Sequence, residues 1–194
     1  MKMSTLRPAQ HFAPEILLRA QGIRVLFLDV DGVLTDGGIY YAECPPGDNR
    51  GASETIKRFN TLDGYGIRLL HLAGIVPVVI SGRDSRPLRE RLRALGVEQA
   101  YLGISEKRAV ADKALASLGL DWPQAAAMGD DWPDLGLMRA SAFCAAPINA
   151  HAEVKALAHY VTAKRGGDGA LREVTDILLA ASGRYAAVLD TESQ

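Results

Sequence analysis

"IRVLFLDVDGVLTDG", residues 23–37, decides the fold. From Ile23 to Leu28 the run is apolar without polar alternation, the composition of a strand buried on both faces of a parallel sheet. Asp29 and Asp31 then place two carboxylates, two positions apart, at the end of that strand. Gly32 permits a sharp backbone departure directly after them. In open α/β sheets ligands bind outside the carboxyl ends of the strands, which is where these aspartates fall.

Outward from this stretch the chain alternates short apolar runs with longer amphipathic ones. Strands are expected at 23–30, 74–81, 99–103, 125–130, 141–146 and 159–163. Between and after them, residues 63–73, 85–96, 107–119, 131–140, 149–158 and 169–183 carry apolar residues at helical spacing, with Gly96, Gly119 and Gly183 at helix stops. Repeated strand-then-helix units imply right-handed crossovers and a doubly wound parallel sheet of Rossmann-like type. One region departs from the alternation: "GGIYY" and "SETIKRFN" are β-prone and flank the turn-rich "AECPPGDNRGA". Residues 37–60 therefore read as a projecting β-hairpin with a long tip. An isolated hairpin is marginal in water, so this one must pack on something. The 194 residues suit a single domain with its core at about 20–185, no cap domain, and a loosely held tail after Tyr185.

Composition narrows the function classes. With 22 basic and 23 acidic residues the formal net charge is −1, which supplies no broad basic field for nucleic acid or an anionic membrane surface. Cys44 and Cys144 have neither disulfide-framework nor metal-site spacing, and a reducing cytoplasm is the expected home. The N-terminal stretch, broken by Pro8, Pro14 and charges, lacks the apolar core of an export signal, and no segment is long enough to span a bilayer.

Four polar stretches end predicted strands: "DVDGVLTDG" with Asp29 and Asp31, "VVISGRDS" with Ser81, "GISEKRA" with Lys107, and "AMGDDWPDL" with Asp130, Asp131 and Asp134. Alone, each reads as a solvated turn, a helix cap or a surface lysine. Together, at the ends of successive strands, they form one constellation. Clustered carboxylates repel and need a cation, so Asp29, Asp31 and Asp130 imply bound metal. An anionic carboxylate can attack phosphorus only when both partners are neutralised, so an acidic cluster with a hydroxyl and an ammonium fits phosphoryl transfer. Asp134 reads as a cap of the "LGLMRA" helix, at even weight with a role in the site.

The DxDGV start, the ISGR strand end, the following lysine and the GDD motif resemble the haloacid dehalogenase superfamily of phosphotransferases. The resemblance implies Asp29 as nucleophile and Asp31 as general acid and then base. It also implies Ser81 and Lys107 on the phosphoryl oxygens, with Mg2+ held by Asp29, the backbone carbonyl of Asp31 and Asp130. Asp131 would orient a metal-bound water, and Gly82, Arg83, Lys164 and Arg165 would bind substrate. "KRFNTLDGYGIRLL" and "GGDGALREV" extend the likeness to the small capless phosphatases acting on 3-deoxy-D-manno-octulosonate 8-phosphate, in lipopolysaccharide precursor synthesis. That family implies a homotetramer whose hairpins meet, with residues 164–169 reaching a neighbour's site. Two departures stand out: the long hairpin tip, and Asp168 where many relatives carry arginine.

Three alternatives are weighed on the same residues. A phosphatase for a nonulosonic acid 9-phosphate or another small sugar phosphate would use the same core. A receiver-like signalling domain shares the residue types but places its phosphoacceptor on a later strand than its acidic pair, and the order here is the reverse. A dinucleotide-binding reading of "DGYGIRLL" has only two of three required glycines.

Overall fold

The structure is a computed structural model that describes residues 9–42 and 53–193. Six parallel strands form its sheet: β1 Val25–Leu28, β4 Val76–Ser81, β5 Gln99–Leu102, β6 Ala125–Met128, β7 Phe143–Ala146 and β8 Tyr160–Val161. Their order across the sheet is β5-β4-β1-β6-β7-β8. All six predicted strands are therefore present, each trimmed at its ends. The chain builds outward from β1 through β4 to β5, then returns to the other side of β1 for β6, β7 and β8. The point of reversal lies between β4 and β6, over the carboxyl end of β1, where a doubly wound sheet opens its crevice.

Alternation along β1 divides the core. Leu26 and Leu28 face a cluster with Ile67, Leu70, Leu88, Leu171 and Ile177; Val25 and Phe27 face another with Ala111, Leu115, Leu137 and Val154. The first cluster is covered by α2 Thr61–Leu72, α3 Arg86–Ala94 and α7 Ala170–Ala181, the second by α4 Lys107–Leu118, α5 Leu135–Ala140 and α6 Ala152–Leu157. The same alternation carries Asp29 to the Phe27 side, toward the start of α4. No helix among the described residues is long and apolar enough to cross a membrane.

Three elements differ from the sequence reading. A short helix not foreseen, α1 Pro14–Arg19, precedes β1 and lies against α7. The tail is ordered rather than loose: α8 Tyr185–Glu192 packs Val188 into the first core cluster, and Glu192 accepts hydrogen bonds from Tyr65 and Arg68. The hairpin exists as β2 Tyr40–Ala42 paired antiparallel with β3 Ser53–Ile56, but its second strand ends before Lys57, which turns inward. The long tip falls at residues 43–52, outside those described.

The two motifs that extend the family likeness meet in space. Asp63, in the first turn of α2, accepts the backbone N–H of Gly169 at 3.1 Å and of Arg172 at 3.1 Å, capping α7 from a different helix. Burial pushes its carboxyl pKa up despite those bonds. Just ahead of α7, Gly166 and Gly167 lie on the loop that follows β1: a Cβ on Gly166 would stand 1.8 Å from Gly32 O and 2.8 Å from Thr35 O. The Gly167 N–H donates to Val33 O at 3.0 Å.

The obstruction at Gly166 is backbone, which has no rotamer to retreat into. Gly166→Ala is expected to destabilise the protein by about 1–3 kcal/mol, the range for overpacking a filled space. Gly136→Ala, in α5 with its nearest outside neighbour at 3.9 Å, is expected to be neutral or slightly stabilising. Thermal melts of both variants check the contrast.

Candidate active site

The carboxyl end of β1 gathers the site. Asp29 follows the last residue of β1 and its N–H donates to Met128 O at 3.1 Å, so the edge of β6 fixes its backbone. Gly32 has φ +95°, and a Cβ there would stand 2.0 Å from Asp130 Oδ2. Glycine is thus required twice at this position, by the backbone turn and by the approach of the loop after β6.

Lys107, at the first turn of α4, reaches between two carboxylates. Its ammonium donates to Asp29 Oδ1 at 2.5 Å and to Asp134 Oδ1 at 2.7 Å, and all three side chains are buried. Asp134 is the N-terminal neighbour of α5, but its carboxylate does not cap that helix; it turns back to accept the N–H of Asp130 at 3.1 Å and of Asp131 at 3.4 Å. Its even-handed sequence reading resolves in favour of the site. Asp29, Asp130 and Asp134 each offer an oxygen within 4.8 Å of the others. One ammonium faces three carboxylates, leaving two negative charges uncompensated if all ionise. Oxygen ligands with that charge deficit suit a hard divalent cation.

The electrostatics carry the same sign. Burial, then repulsion from Asp134, raises the Asp29 carboxyl to about 6 although Lys107 pulls it down. Burial, followed by Asp29 and Asp134, raises Asp130 to about 7. For Lys107 burial acts to lower the pKa, and the two carboxylates more than offset it, so the ammonium is held.

Asp31 stands apart from this cluster. Its Oδ1 accepts a hydrogen bond from the Lys57 ammonium, and its Oδ2 lies 3.6 Å from Arg83 Nε. Ser81, the last residue of β4, is buried and its Oγ accepts the Arg83 N–H at 3.2 Å, which leaves the hydroxyl hydrogen as a donor. Gly82 and Arg83 follow in the same turn. Asp131 is exposed and caps the turn at Trp132, whose N–H it accepts at 2.8 Å.

Lys164 and Arg165 are exposed and make no ion pair among the described residues. Within the subunit Asn149 ties their segment down, donating to Gly32 O at 3.1 Å and accepting the Gly166 N–H at 2.7 Å. Gly166 and Gly167 thus seat this segment on the chain's own loop after β1. Asp168, the departure from the family pattern, pairs with Arg58 at 2.7 Å.

Sequence reading missed Lys57 and Asn149. Lys57 had a signal: strand alternation puts Ile56 outward, 62% exposed, and Lys57 inward, 9% exposed, and an inward lysine demands an anion. Asn149 had none, since its partners are backbone atoms distant in sequence.

A carboxyl whose folded pKa exceeds its unfolded value binds its proton more tightly when folded, so stability falls as pH rises from 3.8 through the folded values of about 6 and 7. The metal-free protein is expected to melt at a lower temperature at pH 8 than at pH 5. Asp130→Asn should flatten that slope, and a saturating divalent cation should raise the midpoint more at pH 8 than at pH 5. Calorimetry across that range is the check; a slope unchanged by Asp130→Asn would contradict the electrostatic assignment.

Comparison with known proteins agrees with this geometry. Residues 105–174 match the family model described as haloacid dehalogenase-like hydrolase. The 3-deoxy-D-manno-octulosonate 8-phosphate phosphatase of Yersinia pestis is 40% identical over 169 residues, 87% of this chain and 86% of that protein. A probable phosphatase of the yrbi family from Pseudomonas syringae superposes with a TM-score of 0.86 at 38% identity, covering 94% of this chain and 99% of that one. The Moraxella catarrhalis 3-deoxy-D-manno-octulosonate 8-phosphate phosphatase, solved in complex with a magnesium ion, a phosphate ion and a KDO molecule, superposes with a TM-score of 0.83 at 34% identity, covering 91% and 97%. The chain belongs to the 3-deoxy-D-manno-octulosonate 8-phosphate phosphatase family of haloacid dehalogenase-like hydrolases.

Proposed function

We propose that the protein hydrolyses a sugar phosphate monoester, 3-deoxy-D-manno-octulosonate 8-phosphate, to the free sugar acid and phosphate. The observation that carries the reading is the Asp29–Lys107–Asp134 constellation with Asp130 at the end of β1, and Asp31 on the opposite side of the turn. In this reading Asp29, Asp130 and the Asp31 carbonyl hold Mg2+, and the cation supplies charge neutralisation that lets a carboxylate approach a phosphate dianion. Asp134, which the sequence reading left out of the ligand set, shares the same acidic cluster.

The chain's own groups divide the work. An Asp29 oxygen forms a bond to phosphorus as the bond to the bridging sugar oxygen breaks, and that oxygen takes its proton from Asp31. Water then attacks the aspartyl phosphate, passes a proton to Asp31, and releases phosphate with Asp29 restored. In this reading Ser81, the Gly82 backbone and Lys107 hold phosphoryl oxygens, and Lys107, bonded to Asp29, also offsets its charge. Asp131, on the turn after Asp130, would serve to orient water beside a cation held there. Arg83, Lys164 and Arg165 are the cations available for the sugar carboxylate, the last two on the exposed shoulder of the loop that braces Gly32.

An assembly completes the proposal. Ile39, Tyr40, Tyr41 and Ile56 expose apolar surface on and beside the hairpin, between 36% and 62%. A homotetramer in which hairpins meet would cover it, in a cytoplasmic setting. The same core would also serve a nonulosonic acid 9-phosphate.

Phosphate release from 3-deoxy-D-manno-octulosonate 8-phosphate is expected to require magnesium, to stop with chelator and to resume on its return. Asp29→Asn should lower turnover by at least about a thousandfold, since it removes the nucleophile. Retention of near wild-type release by Asp29→Asn would refute the covalent route. Tyr41→Glu with Ile56→Glu is expected to give a smaller species by light scattering.

A further inference from the structure

We propose that Lys57 is the positioning residue for the acid–base carboxylate, so that the hairpin, through this one side chain, sets the geometry of the proton-transfer step. The inference rests on the phosphatase reading only in taking Asp31 as the proton carrier.

Three observations lead to it. Lys57 lies immediately after β3, and its side chain has no solvent exposure, an unusual condition for a lysine. Its ammonium donates to Asp31 Oδ1, whereas the other ammonium of the site, Lys107, is committed to Asp29 and Asp134. Among the described residues, the second Asp31 oxygen has the half-exposed Arg83 side chain as its basic neighbour, at 3.6 Å. The two basic groups therefore differ in kind: one is buried and bonded, the other sits at the mouth of the site beyond hydrogen-bond reach.

Asp31 needs such a restraint. It stands on the turn beyond Gly32's neighbour β1, outside the ladder that fixes Asp29, and its side chain is 20% exposed. A carboxylate there has rotamers that point to solvent. Proton transfer requires an oxygen within hydrogen-bond reach of the leaving oxygen, and a displacement of about 1 Å is enough to cost on the order of a hundredfold. Holding Oδ1 on a buried ammonium fixes the side-chain torsions and leaves Oδ2 on the side of Arg83, toward substrate.

A lysine that merely pins the hairpin to the core would affect all substrates alike, so the test varies the leaving group. Esters of acidic phenols depart without a proton, whereas alkyl esters need one. For wild type, Lys57→Met and Lys57→Arg, kcat/KM would be measured with magnesium on β-glycerol phosphate and on 2,4-dinitrophenyl phosphate, with 3-deoxy-D-manno-octulosonate 8-phosphate in parallel. Lys57→Met is expected to lose about a hundredfold on the alkyl ester and less than about fivefold on the aryl ester, in line with the usual share of acid catalysis. Lys57→Arg should recover at least about a tenth of the wild-type alkyl activity while keeping a cation in place. Equal losses on the two esters, or an alkyl rate unchanged in Lys57→Met, would overturn the proposal. If Lys57→Met does not fold, the leaving-group dependence of Lys57→Arg decides: aryl and alkyl rates falling in parallel overturn it, and a selective alkyl loss supports it. Failure of wild type on the octulosonate ester alone would count against the substrate reading and leave the comparison of alkyl and aryl esters intact.

Discussion

Three carboxylates crowded against a single ammonium at the end of a fully buried strand are the constraint on which the rest depends. In low dielectric such a group cannot carry all its charges without a further cation, and the raised pKa values of Asp29 and Asp130 register that deficit. The fold tolerates it because β1 is hydrogen-bonded on both sides and packed on both faces, so the strand end does not yield. Other features follow. Gly32 must be glycine because Asp130 approaches it, Lys107 must open α4 because the charge lies there, and Asp134 gives up capping its helix to bind backbone N–H groups beside the cluster. Stability is relinquished locally in favour of a site that wants a cation and an anionic substrate.

The fold was legible because parallel strands covered on both faces are continuous apolar runs, and the intervening helices end at glycines. The C-terminal helix α8 was not, since "AAVLDTESQ" shows little amphipathic contrast and gains its order from contacts with Tyr65, Arg68 and the groove between α2 and α7. Among site residues, Asp29, Ser81, Lys107 and Asp130 could be placed because each ends or follows a strand. Asp134 divides two rules: local capping preference favours the helix, and the long-range charge of Lys107 wins. Asn149 was invisible for the opposite reason, because its carboxamide serves two backbone groups that sequence spacing does not bring near each other.

The two stretches that extend the family likeness, around Asp63 and around Gly166 to Gly169, are joined by one hydrogen-bonded junction. Asp63 caps α7, α7 sets the height of the loop before it, and that loop lies on the turn carrying Asp31. A family signature can thus mark support for a catalytic loop as much as the catalytic groups. Asp168 fits this view: its pairing with Arg58 links the same loop to the segment leaving the hairpin.

The seating of Gly166 and Gly167 on the loop after β1 also bears on the order in which the molecule is made. Asp29 and Asp31 leave the ribosome early, but the backbone that props their turn, at Gly166 and Gly167, is made more than a hundred residues later. Until that late segment arrives, Val33 O lacks its donor from Gly167 and the turn lacks its roof. A nascent chain that already carries the acidic cluster and Lys107 accordingly still lacks the backbone on which the turn at Gly32 rests.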